Sequence, residues 1–170
     1  MKRFKHPFTL VELLCVIIVL ALLAALTIKV TQVAYRRADE TKTKTVMEIV
    51  RAANERYKAK KGYYLPNSSS ALTSVDVNGV KYYKIKYVDS EFTEFLGDAY
   101  ETLNSMPCAD SSNKDYIRDA WGKELRYCSP GVHNTGSFDL YSKGRDTTSG
   151  DATKAVHIPG EGDDIANFTL

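Results

Sequence analysis

The sequence predicts an α+β chain in which a long N-terminal helix packs on a small antiparallel β-sheet. Three observations predict it. No Pro or Gly falls between Phe8 and Lys61, so nothing in that stretch interrupts a helix. Val46, Ile49, Val50, Ala53 and Tyr57 recur at three- and four-residue intervals, which puts them on one helical face. After Gly62 the texture changes to short alternating runs punctuated by Gly, Asn and Pro, the pattern of strands and turns.

The helix has two halves of different character. Phe8–Ile28 is a run of 21 residues in which Glu12 is the only charged one. At about 1.5 Å per residue such a run spans a hydrocarbon core of about 30 Å. Lys2, Arg3 and Lys5 precede it and Lys29 closes it, so the short leader is expected to stay cytoplasmic and the rest to lie across the membrane. The run is too long for an ordinary secretory signal, and no small-x-small cleavage site follows it before the charged stem, so it is expected to be retained. An ionisable group in such a span costs on the order of 3 kcal/mol unless it is paired. Two readings of Glu12 follow: a carboxylate snorkelling to the headgroups, or a functional group with a partner. From Lys29 to Lys61 the helix is amphipathic, with Lys42, Lys44, Glu48, Arg51, Glu55 and Lys58 off the apolar stripe. Together the halves make one helix of about 50 residues, on the order of 80 Å long. Gly62 ends it, and Pro66 with Asn67–Ser70 forms the exit loop.

Residues 62–170 must supply the surface that covers the stripe. VDVNGVKYYKIKYV (75–88) places Asn78–Gly79 between β-branched and aromatic runs, a strong hairpin signal. EFTEFLGDAYETLNSMP (91–107) reads as a short helix with Phe92, Phe95, Leu96 and Leu103 inward, closed before Pro107. ELRYCSPG and SFDLYSKG read as antiparallel strands, with Trp121 just ahead of them as a packing anchor under the sheet. Residues 145–164 are rich in Gly, Thr and Asp, and IANFTL reads as a last edge strand.

Charge and chemistry narrow the function classes. Residues 1–61 hold 13 Lys/Arg against 5 Asp/Glu and residues 62–170 hold 10 against 16, so a basic stem carries an acidic head. A nucleic-acid binder would spread positive charge over its globular face. His133 and His157 stand in polar loops with no nucleophile motif nearby, and neither G-x-S-x-G nor H-E-x-x-H occurs, which argues against an enzyme. Cys15 reads as an apolar filler within the span. Cys108 and Cys128 fall in the exported part, where a disulfide would persist, and their pairing is left open.

PFTLVELL followed by a long apolar helix resembles the N-terminus of type IV pilins and type II secretion pseudopilins. DAWGKELRYCSPG (119–131), FDLYSKGRD (138–146) and GDDIAN (162–167) resemble, in order, the C-terminal motifs of the major, G-type pseudopilins. The resemblance implies a type IV pilin-like fold and a non-enzymatic, structural role. In that role the chain is a subunit of the periplasmic pseudopilus of a type II secretion system. It also implies cleavage after Pro7 by a prepilin peptidase and N-methylation of Phe8. Before assembly the subunit would lie in the inner membrane with its head in the periplasm. It would then polymerise through its helix with other copies, minor pseudopilins and an inner-membrane assembly platform. In that filament Glu12 would neutralise the amine of Phe8 on a neighbouring subunit. A type IV pilus or DNA-uptake pilin is the alternative with the same assembly physics. The chain departs from the family in having Pro7 for the usual Gly, and Ala21 and Lys29 where a Gly and a Pro commonly relax the helix.

The resemblance further implies a structural calcium ion held by Asp146, Asp163 and Asp164, with the carbonyls of Lys143 and Thr148 as candidate ligands. Calcium takes six to eight oxygens, and a Gly/Thr/Asp loop offers carboxylates and carbonyls. A solvated acidic loop is the other reading. The segment SGDATKAVHIPGE lengthens this loop beyond the family's, and Asp151 and Glu161 within it are substitute ligands.

Overall fold

Helix α1 runs Leu10–Lys61, as the lack of breakers predicts. It is seen in a computed structural model that describes the chain apart from residues 1–9, 70, 78, 89, 110, 112–113, 147–159, 161 and 169–170, and apart from the side chains of 25–30. Gly62, at φ 89°, terminates the helix, its N–H donating to the Lys58 carbonyl at 2.7 Å. Glycine adopts this left-handed conformation without a Cβ penalty. Lys58, Lys60 and Lys61 occupy the last turn, where positive charge complements the helix dipole.

The chain forms two compact units, Met1–Ala38 and Asp39–Leu170. In the first, Leu10, Val11, Leu13, Leu14, Ile17, Ile18 and Leu22 are all exposed, so among the described residues this part of α1 is apolar around its circumference and buries no face. Among the described residues no helix is long and apolar enough to cross a membrane. The described side chains of the apolar run are those of Leu10–Ala24. Phe8, Thr9 and 25–28 of the expected span lie outside them.

The second unit is built on a five-stranded sheet in the order β1-β2-β3-β4-β5, every neighbouring pair antiparallel. Strands β1 (Leu72–Val77) and β2 (Val80–Ile85) make the expected hairpin, with Val77 opposite Val80 and Gly79 at φ 80°. Strands β3 (Arg126–Cys128) and β4 (Asp139–Ser142) are the two alternating segments, and β5 (Ile165–Ala166) is the edge strand. Alternation sorts side chains onto two faces. Ile85, Tyr127 and Leu140 join Val46, Met47, Val50, Ala53 and Tyr57 of α1 in one apolar cluster. Tyr82, Cys128 and Tyr141 form another with Phe168 against it. Four of the five stripe residues are buried and Ile49 is partly so, as the periodicity predicts.

Two expectations are corrected, and the open question of the cysteines is answered. The segment 91–107 holds two short helices, α2 (Thr93–Leu96) and α3 (Ala99–Asn104), because Gly97 between them takes φ 56°, ψ −135°. Phe92, Phe95, Leu96 and Leu103 are nonetheless buried, so the inward face was read correctly. Trp121 is only half-buried and belongs to neither apolar cluster. Cys108 and Cys128 form no disulfide. Cys128 sits on β3 facing Tyr82 and Tyr141, with its thiol 3.4 Å from the Pro130 carbonyl, whereas Cys108 lies exposed beyond α3, its backbone against Gly122.

Candidate functional site

The three C-terminal motifs meet at one end of β4, and a buried carboxylate organises the meeting. Asp119 is fully buried; its Oδ1 accepts from the N–H groups of Trp121 and Lys123, each at 2.9 Å. Its Oδ2 accepts from Ser142 Oγ at 2.6 Å, and that hydroxyl in turn accepts from Gly144 N at 3.1 Å. Burial raises the Asp119 carboxyl above its ordinary value, and these hydrogen bonds oppose the rise. Gly144, at φ 65°, lies so close to Asp163 that a Cβ there would collide with its backbone. Asp163 Oδ2 then accepts from Arg145 N at 2.7 Å and Asp146 N at 3.0 Å. The same turn is tied to α1 by Ala120 N donating to the buried Thr43 Oγ1 at 3.1 Å.

Two more side chains hold the motifs in register. Asp139 accepts from the N–H groups of Val132, His133 and Asn134 at 2.7–2.9 Å, which shapes the loop between β3 and β4. Asn167 acts as an extra length of strand: its Oδ1 accepts from Leu140 N at 2.7 Å and its Nδ2 donates to Phe138 O at 3.0 Å. These pairings satisfy backbone groups that the short β5 leaves open.

The expected site residues divide into groups. Glu12 is in the first turn of α1 and is exposed. Pro7, Phe8, Thr148, Asp151, His157 and Glu161 lie outside the described residues. Asp146 and Asp163 are brought together on one turn, Lys143 is half-buried beside them in sequence, and Asp164 turns its Oδ2 to Gly160 N at 3.0 Å. Among the described residues no three His, Cys, Asp or Glu side chains gather into a metal-holding group. Aspartates offer only oxygen ligands, which suit a hard cation such as calcium rather than zinc. Sequence reasoning missed Asp119, Asp139, Ser142, Asn167, Thr43 and Asn54. The available signal was that Asp119, Asp139, Ser142 and Asn167 all stand inside the recognised motifs.

An apolar N-terminal helix whose outer half is buried on an antiparallel sheet is the α+β architecture that the sequence predicts. Residues 98–160 match the family described as Type II secretion system (T2SS), protein G. The segment that matches is thus similar to the family that the sequence motifs resemble. The motifs at 119–131 and 138–146 lie inside the matched segment. GDDIAN lies just beyond it. Type II secretion system core protein G of Klebsiella michiganensis is 26% identical over 169 residues, 99% of this chain and 96% of that protein. The protein of the same name from Pseudomonas aeruginosa is 28% identical over 157 residues, 92% of this chain and 95% of the relative. A crystal structure of the major pseudopilin from the type 2 secretion system of enterohaemorrhagic Escherichia coli is 17% identical. Its TM-score is 0.40 over 82% of this chain and 94% of that one, a likeness too slight to argue from.

Proposed function

We propose that this chain is a structural subunit of the pseudopilus of a type II secretion system, polymerising through its N-terminal helix to help drive folded proteins across the outer membrane. One observation carries the reading: a segment that matches the protein G family shares a chain with a helix whose described N-terminal side chains are exposed and apolar. Such a helix is stable only in lipid or against other apolar helices, and a filament core offers the second after the first. The role is architectural, and the buried carboxylates serve to fold the head rather than to face a substrate.

The finer features of this reading are those the family resemblance implies. Phe8–Ile28 anchors the subunit in the inner membrane with the head in the periplasm until assembly. A prepilin peptidase removes Met1–Pro7 and Phe8 becomes the methylated first residue. Minor pseudopilins and an inner-membrane platform are its assembly partners. Glu12 pairs with the amine of Phe8 on a neighbouring copy, a contact that sets register more than stability. Asp146 and Asp163, with Asp164 and the carbonyls of Lys143 and Thr148, hold a calcium ion that closes the C-terminal loop. Mass spectrometry of the membrane-extracted protein tests the assignment: the mature chain should begin at methylated Phe8. A chain that keeps Met1–Pro7 in cells with an active secretion system would overturn it.

A further inference from the structure

The five-stranded sheet has two edges, β1 and β5. Strand β1 is six residues long, pairs one-to-one with β2, and contains no Pro, Lys or bulge. Sheets ordinarily blunt an edge with one of those devices. Val77 and Val80 flank a two-residue turn and so bond to each other, which by alternation directs the backbone groups of Ser74 and Asp76 away from β2. On the other edge Asn167 N donates inward to Leu140 O at 2.9 Å, so the backbone groups of Ala166 point out of the sheet.

Outside β5 runs a groove of about 490 Å³, with Lys44, Met47 and Arg51 of α1 on one wall and Ile165–Phe168 on the other. Glu48, in the helical wall, is drawn to Arg51 at 3.8 Å. Lys44 is exposed and enters no ion pair among the described residues. The groove therefore combines an open strand edge, apolar surface and a positive charge without a counter-ion.

Direction and charge fit the β1 edge of a second copy to this groove. Four antiparallel steps separate β1 from β5, so the two strands run the same way. A copy in the same orientation lays its β1 beside β5 as a parallel neighbour. Leu72 packs against the core that includes α1, so Leu72, Ser74 and Asp76 share the α1 face of the sheet. Asp76 of the added strand then falls on the side of Lys44. Asp76 is exposed, and although Lys81 stands opposite it, no salt bridge joins the two among the described residues. Repeating the contact leaves one edge open at each end, which builds an open filament rather than a closed dimer.

We infer that the heads of neighbouring copies join edge to edge, β1 of one against β5 of the next, with Asp76 paired to Lys44. The inference rests on the filament reading above and adds to it a contact outside the apolar helix. An exposed pair of this kind fixes register and partner more than it adds affinity.

Sheared filaments of the full-length chain are treated with a water-soluble carbodiimide, which joins a carboxylate to an amine in contact with it. Mass spectrometry should find the Lys44–Asp76 peptide in the dimer band of a denaturing gel and not in the monomer band. Lys44→Glu and Asp76→Lys should each cut filament yield several-fold by setting like charges together, and the double variant should recover most of it. Both positions are exposed, so head melting should stay as in the wild type. Filaments that form without the Lys44–Asp76 dimer link overturn the contact and leave the pseudopilus reading standing. So do single variants with normal yield, or a double variant no better than either single. A wild type that keeps Met1–Pro7 and forms no filaments removes the pseudopilus reading and this contact with it.

Discussion

Asn54 sits in the middle of the apolar face of α1, where a leucine would continue the stripe. Instead its Nδ2 donates to Tyr127 Oη at 3.0 Å and its Oδ1 accepts from Leu65 N at 2.9 Å, while Tyr127 Oη donates to Leu65 O at 2.8 Å. This closed triangle pins helix, exit loop and sheet at one buried point. Asn54→Leu should therefore destabilise the protein despite its greater apolarity, by about 1–3 kcal/mol for each group left without a partner. Urea unfolding of the variant reads this directly, and an unchanged midpoint would show that the triangle contributes nothing. Tyrosines make a second prediction. Burial, and then Glu91, push Tyr57 up to about 12, and burial raises Tyr82 and Tyr127 as well. In the unfolded chain tyrosine ionises near 10, so the folded state holds these protons more tightly. Their contribution is complete below about pH 10 and is lost as pH rises above it. Phenolate absorbance and circular dichroism should thus change together in one alkaline transition for the buried set. Titration of every tyrosine before any loss of structure would contradict this.

Among the elements, the end of β4 depends most on contacts from elsewhere. β5 has two residues, and its flanks are held by Asp163 before it, on the 145–146 turn, and by Asn167 after it, on Leu140 of β4. If the loop holds a divalent cation, the ion would offset the negative charge of Asp146, Asp163 and Asp164 and bind only the folded form. Calcium should accordingly raise the melting temperature of the chelated protein, by roughly 2.7 kcal/mol of stability at about 100 times its dissociation constant. Magnesium should restore less, because it demands octahedral geometry and retains water. Asp164→Ala should abolish the response. A wild type that melts alike in chelator and in millimolar calcium would leave the loop as a solvated acidic turn.

For the molecule as a whole, the charge asymmetry and the bare apolar helix point to assembly. A subunit whose first helix exposes Leu10, Leu13, Ile17 and Leu22 has its partner outside itself. If Glu12 pairs with a neighbour's terminal amine, Glu12→Leu should leave the head folded and membrane insertion intact while filaments fail to form. Electron microscopy of sheared filaments and membrane fractionation separate the two effects. Normal filament yield from Glu12→Leu would remove the pairing role.

What the sequence determined by itself is the part of the protein governed by short-range rules. Helix α1, the hairpin at Gly79, the strands β3 and β4 and the apolar stripe follow from local periodicity and turn chemistry, which need no knowledge of distant residues. The resemblance to the protein G family followed from motif order. Tertiary structure decided which of the similar acidic residues do what. Asp119, Asp139, Asp146 and Asp163 look alike in the chain, yet the first two are buried and satisfy loop N–H groups while the last two stay exposed. It also decided that Cys128 turns toward Tyr82 and Tyr141 without joining Cys108, that Gly97 splits one expected helix in two, and that Arg126 lies buried with open donors. The reason is the same in each case: burial and partnership are set by which segments the sheet brings side by side, and residues far apart in sequence supply them.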